Sequence, residues 1–344
     1  MSGGRYNLNI GTSAIVEIEA DRSPASTPHS LSNVYNSLPA TSRLRETTFL
    51  ALVEVAATND DLDLVSPALS SLPHWLAQWN ISEQRKAAVL DTVANKLEAS
   101  HAAERAYDFR VAHLQYLSSN SAASPDASTA KTSAEKAVAS ALKLPKVFDF
   151  DSLLRLSVVQ GLQQSSPAVL ELVKILVQGS LSDYNSWASS GSAELNRLGV
   201  EAAIVERKVR LLELAALCSK AVEGATTQGA GAEVSYQAIS QAIQVNDSEV
   251  ESWVIDVIRA GLVSGKLSQV RSSFRVYRST YRTFKQEQWK LLETRLQEWD
   301  NTLEGILSTL SAPRGPGRQE QATSGSNAPA IVGVPGVDAA LSQA

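Results

Sequence analysis

The sequence is poor in cysteine and has no long apolar run, and both shortages exclude classes of protein. Among its 344 residues there is one cysteine, Cys218, so neither an internal disulfide nor a cysteine-based metal site can form. We interpret Cys218 as a small buried apolar residue. The longest apolar runs, such as Leu214 to Cys218, are far shorter than the ~20 residues that a bilayer crossing needs. The sequence therefore predicts no membrane span.

The spacing patterns of known active sites are also missing. No two histidines have the spacing of metal ligands on one helical face. No glycine cluster continues into the Gly-Lys-Ser/Thr sequence that holds a nucleotide phosphate, and Gly261 to Gly265 departs from the Gly-x-Ser-x-Gly turn of a catalytic serine. We therefore predict no catalytic residue, no metal site and no cofactor, in a protein that is not an enzyme. The histidines are His29, His74, His101 and His113.

Composition and the first residues predict the class and the compartment of the protein. Apolar residues make up 44% of the sequence and charged residues 19%, which is typical of a globular chain with a sizeable core. Met1 to Tyr6 lacks the apolar stretch of a signal peptide, and Ser2 stands where N-myristoylation requires glycine. We therefore expect a cytoplasmic protein.

Apolar spacing divides most of the chain into short helices. Leu44, Leu52 and Val55 recur at helical spacing, whereas Pro67 and Pro73 predict that the next apolar stretch is broken into short helices. No fixed repeat is visible, so we predict an irregular all-α array. The predicted divisions are an extended N-terminal arm (1–40), an N-terminal helical array (41–117), a flexible linker (118–133), a second helical part (134–220), a winged helix (221–282), a terminal bundle helix (283–310) and a disordered tail (311–344).

The predicted winged helix rests on the order helix, helix, hairpin. Ser235 to Ala242 forms one short helix, and Val250, Trp253 and Val257 mark a second at helical spacing. Two strand-like segments follow, separated by a short turn. We expect a strand edge at Phe274 and Val276 that a strand of a neighbouring subunit completes, or, as an equal alternative, core positions for the same two residues.

Charge is distributed unevenly along the chain. The net charge is −5, yet the stretch from Lys266 to Arg295 holds eight basic residues against two acidic ones. We predict that this basic band contacts an acidic partner or an RNA backbone, or is a solvated face. The helix before it is acidic, which disfavours reading of a DNA groove. The predicted band consists of Lys266, Arg271, Arg275, Arg278, Arg282, Lys285 and Lys290.

Apolar residues near the C-terminus alternate at spacings of three and four. One helix cannot bury its own apolar stripe, so we expect this stripe to pack on the protein's own array or on helices of other subunits, and we favour other subunits for its distal half. The stripe, here called the seam, consists of Trp289, Leu292, Leu296, Trp299, Leu303, Ile306 and Leu310.

The order of helical array, winged helix and terminal helix resembles the PCI-domain family of the proteasome lid, the signalosome and eukaryotic translation initiation factor 3. The basic-apolar-Arg-Leu-Leu signature of that family is similar to Lys208-Val209-Arg210-Leu211-Leu212, and its winged-helix core to Trp253-Val254-Ile255-Asp256-Val257. Both stretches are also similar to subunit seven of the signalosome. The continuation from Arg278 to Trp289, with Leu296 to Trp299, resembles the initiation-factor branch.

This resemblance implies a right-handed helical superhelix capped by a winged helix, with a non-catalytic scaffolding role. The implied partners are other PCI subunits of initiation factor 3 and, through the complex, the small ribosomal subunit, with weak RNA contact as a further possibility. A signalosome scaffold and a free-standing RNA-binding winged-helix protein stay open as alternatives.

Overall fold

The computed structural model describes residues 27–59, 61–120, 126–224 and 231–311, which form two units. One unit extends to Phe284 and the other begins at Lys285. The first 26 residues of the predicted arm and the predicted tail from 312 lie outside the described residues, as do residues 121–125 of the predicted linker.

Five helices form the first layer of the array. Their core is aromatic and aliphatic, with Phe49, Leu72 and Trp79 almost fully buried. The prediction of an extended arm over 1–40 is wrong for residues 27–37, which are helical. Leu31 and Tyr35, one helical turn apart, are buried there, and the Tyr35 ring lies 5.1 Å from that of Trp75. The helices are α1 (Thr27–Ser37), α2 (Leu44–Thr58), α3 (Leu62–Gln78), α4 (Glu83–Ala99) and α5 (Ala103–Ser119).

The helix α3 is continuous, which corrects the prediction that Pro67 and Pro73 divide it. A proline inside a helix removes one backbone hydrogen bond and strains the preceding turn. Four buried residues of α3 nevertheless lie at spacings of four, three and four along a single face, and the burial of that face outweighs the two losses. They are Val65, Leu69, Leu72 and Leu76.

The second part of the array has the largest core of the protein. Its buried residues include Phe150, Leu172 and Trp187. The predicted linker 118–133 is wrong at residues 118–119, which end α5, and at residues 127–133, which begin α6, because the next turns of α6 place Ala134, Ala137 and Val138 in that core. The helices are α6 (Ala127–Lys143), α7 (Asp151–Leu154), α8 (Ser157–Gln160), α9 (Leu162–Ser165), α10 (Pro167–Gln178), α11 (Leu181–Leu198) and α12 (Ala202–Gly224).

The winged helix follows on α12, with a three-stranded antiparallel sheet in the order β1-β3-β2. The Ser235 hydroxyl accepts from the Ala238 N–H and begins the first helix, as the sequence indicates. Gly265 is required in β2, because a Cβ there would lie 2.6 Å from the Phe274 ring. The elements are β1 (Ala232–Ser235), α13 (Tyr236–Ile243), a 3₁₀ turn (Asp247–Glu249), α14 (Val250–Arg259), β2 (Val263–Ser268) and β3 (Ser273–Ser279).

The second unit contains one helix, α15 (Gln286–Ser311), close to the predicted range 283–310. The predicted fold class, a helical array followed by a winged helix with a small hairpin and a long terminal helix, is confirmed. Among the described helices of both units, none is long and apolar enough to cross a membrane.

Candidate interaction surfaces

The seam on α15 is uncovered within its own unit. All seven seam residues are exposed, from 39% for Leu292 to 77% for Leu310, and both tryptophans are more than half exposed. The neighbouring Leu307 is exposed as well and widens the stripe. Trp289 to Leu310 covers 21 residue steps, which correspond to roughly 32 Å of helix at 1.5 Å per residue. An apolar stripe of this length on a charged helix is a typical surface for packing against other helices.

Of the two alternatives for Phe274 and Val276, the structure contradicts the strand edge and agrees with core positions. Both side chains are fully buried, and β3 is the central strand, with Val276 opposite Ala232 on one side and opposite Gly265 on the other. The prediction was wrong because it missed β1, whose four residues offer only two inward apolar side chains. The described sheet therefore has its free edges on β1 and β2.

Arg282 does not belong to an exposed band, because its guanidinium is buried in the first unit. Its Nε donates to the Leu212 carbonyl at 2.8 Å and its Nη1 to the Gly179 carbonyl at 2.7 Å, while Nη2 donates to the Glu213 carboxylate at 3.1 Å. Burial lowers the pKa of Arg282, and the Glu213 carboxylate opposes that shift. Arg282 therefore fastens the end of the winged helix to α12 and to the end of α10.

The remaining predicted band divides between the two units. Arg271 and Arg275 pair with Glu233 at 3.3 and 2.5 Å, whereas Lys266 and Arg278 are exposed and have no ion pair among the described residues. Lys285 and Lys290 belong to the second unit, where both are exposed. In the first unit, the exposed part of the predicted band is therefore confined to the winged helix.

Lys208 is a buried cation that the sequence analysis treated only as part of a signature. Its Nζ donates to three carbonyls, those of Ala141 at 2.6 Å, Val147 at 2.9 Å and Leu144. Burial lowers its pKa to about 8. The ammonium thus holds the end of α6 and the following segment against α12. Its position between Val205 and Leu212 on an apolar helix face was the signal available in the sequence.

Other reactive side chains are buried for packing. Cys218 is fully buried, and burial raises the pKa of its thiol to about 12, in agreement with its interpretation as an apolar residue. His113 is buried with its Nδ1 4.0 Å from the Asp91 carboxylate, and burial lowers its pKa. Within the described ranges, no group of three or more histidine, cysteine, aspartate or glutamate side chains could hold a metal ion.

Two family models match the part of the chain that carries these surfaces. The model described as "PCI domain" matches residues 202–278, which comprise α12 and the winged helix. The model described as "eIF3 subunit M, C-terminal helix" matches residues 282–310, which comprise Arg282 and the whole seam. The PCI domain and the helix that follows it are therefore present in the order that the sequence resemblance implied.

Curated relatives extend the similarity over most of the chain. Three proteins named eukaryotic translation initiation factor 3 subunit M are similar to it: 34% identical over 284 residues in Phaeosphaeria nodorum, 36% over 293 in Emericella nidulans and 35% over 291 in Aspergillus clavatus. Each alignment covers 83% of this chain. The chain spans about three-fifths of the length of these relatives, namely 62%, 62% and 59%.

Proposed function

We propose that this chain, which carries a PCI domain and the C-terminal helix characteristic of eIF3 subunit M, is a scaffold subunit of eukaryotic translation initiation factor 3. In this role it is cytoplasmic and assembles with other PCI subunits. Through the assembled complex it supports recruitment of mRNA and initiator tRNA to the small ribosomal subunit.

The observation that carries the proposal is the uncovered seam on α15. Seven large apolar side chains lie on one helical face, and each is at least 39% exposed. Burying a large apolar side chain completely contributes roughly 1.5–3 kcal/mol, and at this exposure each seam residue gains only part of that amount. Packing of the seam against helices from other subunits supplies the remainder. The seam also coincides with the segment that is similar to the subunit M helix.

The winged helix supplies a second proposed contact. The edges of β1 and β2 present backbone N–H and C=O groups that have no strand partner in the described sheet. We propose that β2, the edge strand of the β2–β3 hairpin, adds to the sheet of a neighbouring PCI subunit. This replaces docking through Phe274 and Val276, which are internal.

A catalytic role has no support among the described residues. The buried ionisable groups, such as Lys208 and Arg282, are engaged by carbonyl oxygens or by a carboxylate of the protein itself. Their hydrogen bonds hold helices together. We therefore propose a non-catalytic role, in line with the names of the relatives.

Two alternatives keep the same fold but different partners. A signalosome scaffold similar to subunit seven would share the PCI domain, but the match of residues 282–310 to the subunit M helix favours the initiation factor. A free-standing RNA-binding winged-helix protein would not account for the exposed apolar seam, because it has no partner helices to cover it.

Affinity capture of the tagged full chain from cells tests the proposal. We expect initiation factor 3 subunits and proteins of the small ribosomal subunit in the captured material. Capture of deneddylase subunits in their place would overturn the assignment. Recovery of the chain alone would contradict scaffolding altogether.

A further inference from the structure

The outer side of the winged-helix sheet combines basic side chains with one exposed aromatic ring. Phe274 and Val276 of β3 point into the core. Because side chains alternate along a strand, Arg275 and Tyr277 point to the opposite side. Tyr277 is 44% exposed and Arg275 has a similarly exposed side chain, at 43%. The ring and the guanidinium are therefore neighbours on a solvent-facing surface.

The strand register places cations opposite one another on this surface. Arg275 is paired with Lys266 of β2 on one side and with Glu233 of β1 on the other. Like charges directly opposite each other destabilise a sheet. Glu233 offsets part of this repulsion, but it also serves Arg271. Lys266 has no ion pair among the described residues, so a bound anion would stabilise this arrangement.

Arg278 adds a further cation to the same strand. It is exposed and has no ion pair within the described ranges. The β-bulge between Ser264 and Gly265 shifts the alternation, so that Ser279, whose hydroxyl donates to the Ala215 carbonyl, points inward and Arg278 points outward. Together with Arg271 the sheet therefore presents four cations against the single carboxylate of Glu233. This excess of positive charge occurs on a protein whose net charge is −5, which makes the surface electrostatically distinct.

We propose that this surface, here called the basic sheet face and defined by Lys266, Arg275, Tyr277 and Arg278, binds single-stranded RNA. The Tyr277 ring stacks on a base, and the three cations contact the phosphates on either side of it. Stacking on an exposed aromatic residue beside cations is a general way to bind single strands without sequence preference. The inference deepens the proposed function, because it assigns a direct RNA contact to one surface of the scaffold.

The surroundings of the basic sheet face favour a single strand over a duplex or an acidic peptide. The 3₁₀ turn that leads into α14 carries the exposed acidic residues Asp247 and Glu249, and the first turn of α14 carries Glu251, so a duplex groove approaching the start of that helix is repelled. An acidic peptide would use the cations but has no use for an exposed aromatic ring. A flexible single strand can place its phosphates on the cations and a base on the Tyr277 ring without approaching α14.

The test measures binding of a short fluorescently labelled oligouridine to the purified full chain by anisotropy. We expect Tyr277→Ala to weaken binding about tenfold, and Tyr277→Phe to bind like the native chain, because stacking needs the ring and not the hydroxyl. We expect Lys266→Glu to weaken binding and to reduce its dependence on salt, since one phosphate contact is lost. The matched control is Lys136→Glu, an exposed lysine on α6.

Each other outcome overturns the proposal. Oligouridine binding that is indifferent to both Tyr277→Ala and Lys266→Glu means that RNA is not bound on this face. Absence of binding by the native chain at low salt has the same meaning. If a labelled polyglutamate peptide binds and is lost with Lys266→Glu while oligouridine does not bind, the face belongs to an acidic protein partner.

A parallel capture experiment separates this proposal from the assignment to initiation factor 3. The Tyr277 side chain is exposed and belongs to the central strand β3, not to the proposed docking edge of β2, so Tyr277→Ala is expected to unfold at the same temperature as the native chain and to capture the same initiation factor subunits. Normal capture with lost oligouridine binding supports both proposals. Normal capture with unchanged oligouridine binding overturns only the RNA site, and failed capture by the native chain overturns only the assignment.

Discussion

The two units of the chain treat their large apolar residues in opposite ways. In the first unit Phe49, Phe150 and Phe274 are at most 1% exposed, each inside a separate cluster. In the second unit Trp289 and Trp299 are 59% and 66% exposed. The same chemistry is thus used for internal stability in one unit and is available for association in the other. This contrast supports the proposal that the seam packs against helices of other subunits.

The largest expected effect is that of a double substitution in the seam, which should weaken binding to partners without lowering the stability of the isolated chain. Truncating one buried aromatic anchor costs about 2 kcal/mol of binding free energy, so Trp299→Ala with Leu303→Ala should weaken association with partner subunits by more than about thirtyfold. The melting temperature of the isolated chain should barely change, because neither side chain is buried in it. Co-purification and thermal unfolding measure the two effects.

The matched control for the seam is Asn301→Ala, which lies on the opposite side of α15 and should affect neither measurement. A marked fall in the melting temperature of the isolated double variant would show that the seam packs on the protein's own array. The proposed helical bundle would then be wrong.

A substitution in the winged-helix core should have the reverse effect. Phe274→Ala removes a fully buried ring that touches Gly265, and we expect a loss of about 4 kcal/mol in the free energy of unfolding. Denaturant titration measures the loss. The exposed neighbour Tyr277 gives the control, since Tyr277→Ala should change stability by about 0.5 kcal/mol or less. Equal losses for the two variants would contradict the assigned burial.

Arg282 and Arg278 both belong to the predicted basic band, but only Arg282 is buried, so their substitutions should differ in their effect on stability. Arg282→Gln leaves the Glu213 carboxylate and two carbonyls without their buried partner, and we expect a loss of about 3 kcal/mol in unfolding free energy. Arg278→Gln changes an exposed side chain, and its effect should stay near 0.5 kcal/mol. Thermal unfolding measures both losses. Equal stability of the two variants would contradict the burial of Arg282.

The smallest expected effect is the pH dependence that Lys208 contributes. Its pKa is about 8 in the folded protein against 10.5 ordinarily, so between these values the unfolded chain binds more protons than the folded one. The contribution of Lys208 to stability therefore rises with pH over this window. Lys208→Met should remove that part of the rise when stability is measured from pH 8 to 10.5. An identical pH slope in native and variant chains would refute the assignment.

The sequence was sufficient for those parts of the fold whose signals are local. The apolar stripe of α14, the short helix predicted from Ser235 and the spacing of the seam each depend on a few neighbouring residues. The features that were missed depend on distant partners: α1 is held by Tyr35 against Trp75, and the two prolines of α3 are tolerated because one face is buried. Arg282 looked like a surface charge because Gly179 and Leu212, its acceptors, are far away in sequence.

The candidate surfaces also differ in whether neighbouring residues were enough to predict them. The seam residues could be named from spacing alone, and the structure finds them all exposed. The edge strands of the sheet could not be predicted from the sequence. The central place of β3 depends on β1, a segment of four residues with weak apolar character. The basic band was predicted from consecutive residues, whereas the bulge in the pairing of β2 with β3 and the distant acceptors of Arg282 decide which cations reach solvent.

The hydrogen bonds of Arg282 also constrain the order in which the chain can mature during synthesis. The carbonyl of Gly179 receives its partner only after 103 further residues have been made, and that of Leu212 after 70. The helices α4 and α5, by contrast, are near neighbours in sequence and can pair as soon as both have left the ribosome. The end of α10 thus stays incompletely satisfied until the winged helix has been synthesised. A nascent chain halted before Arg282 would present an array that is folded at its beginning and open at its end.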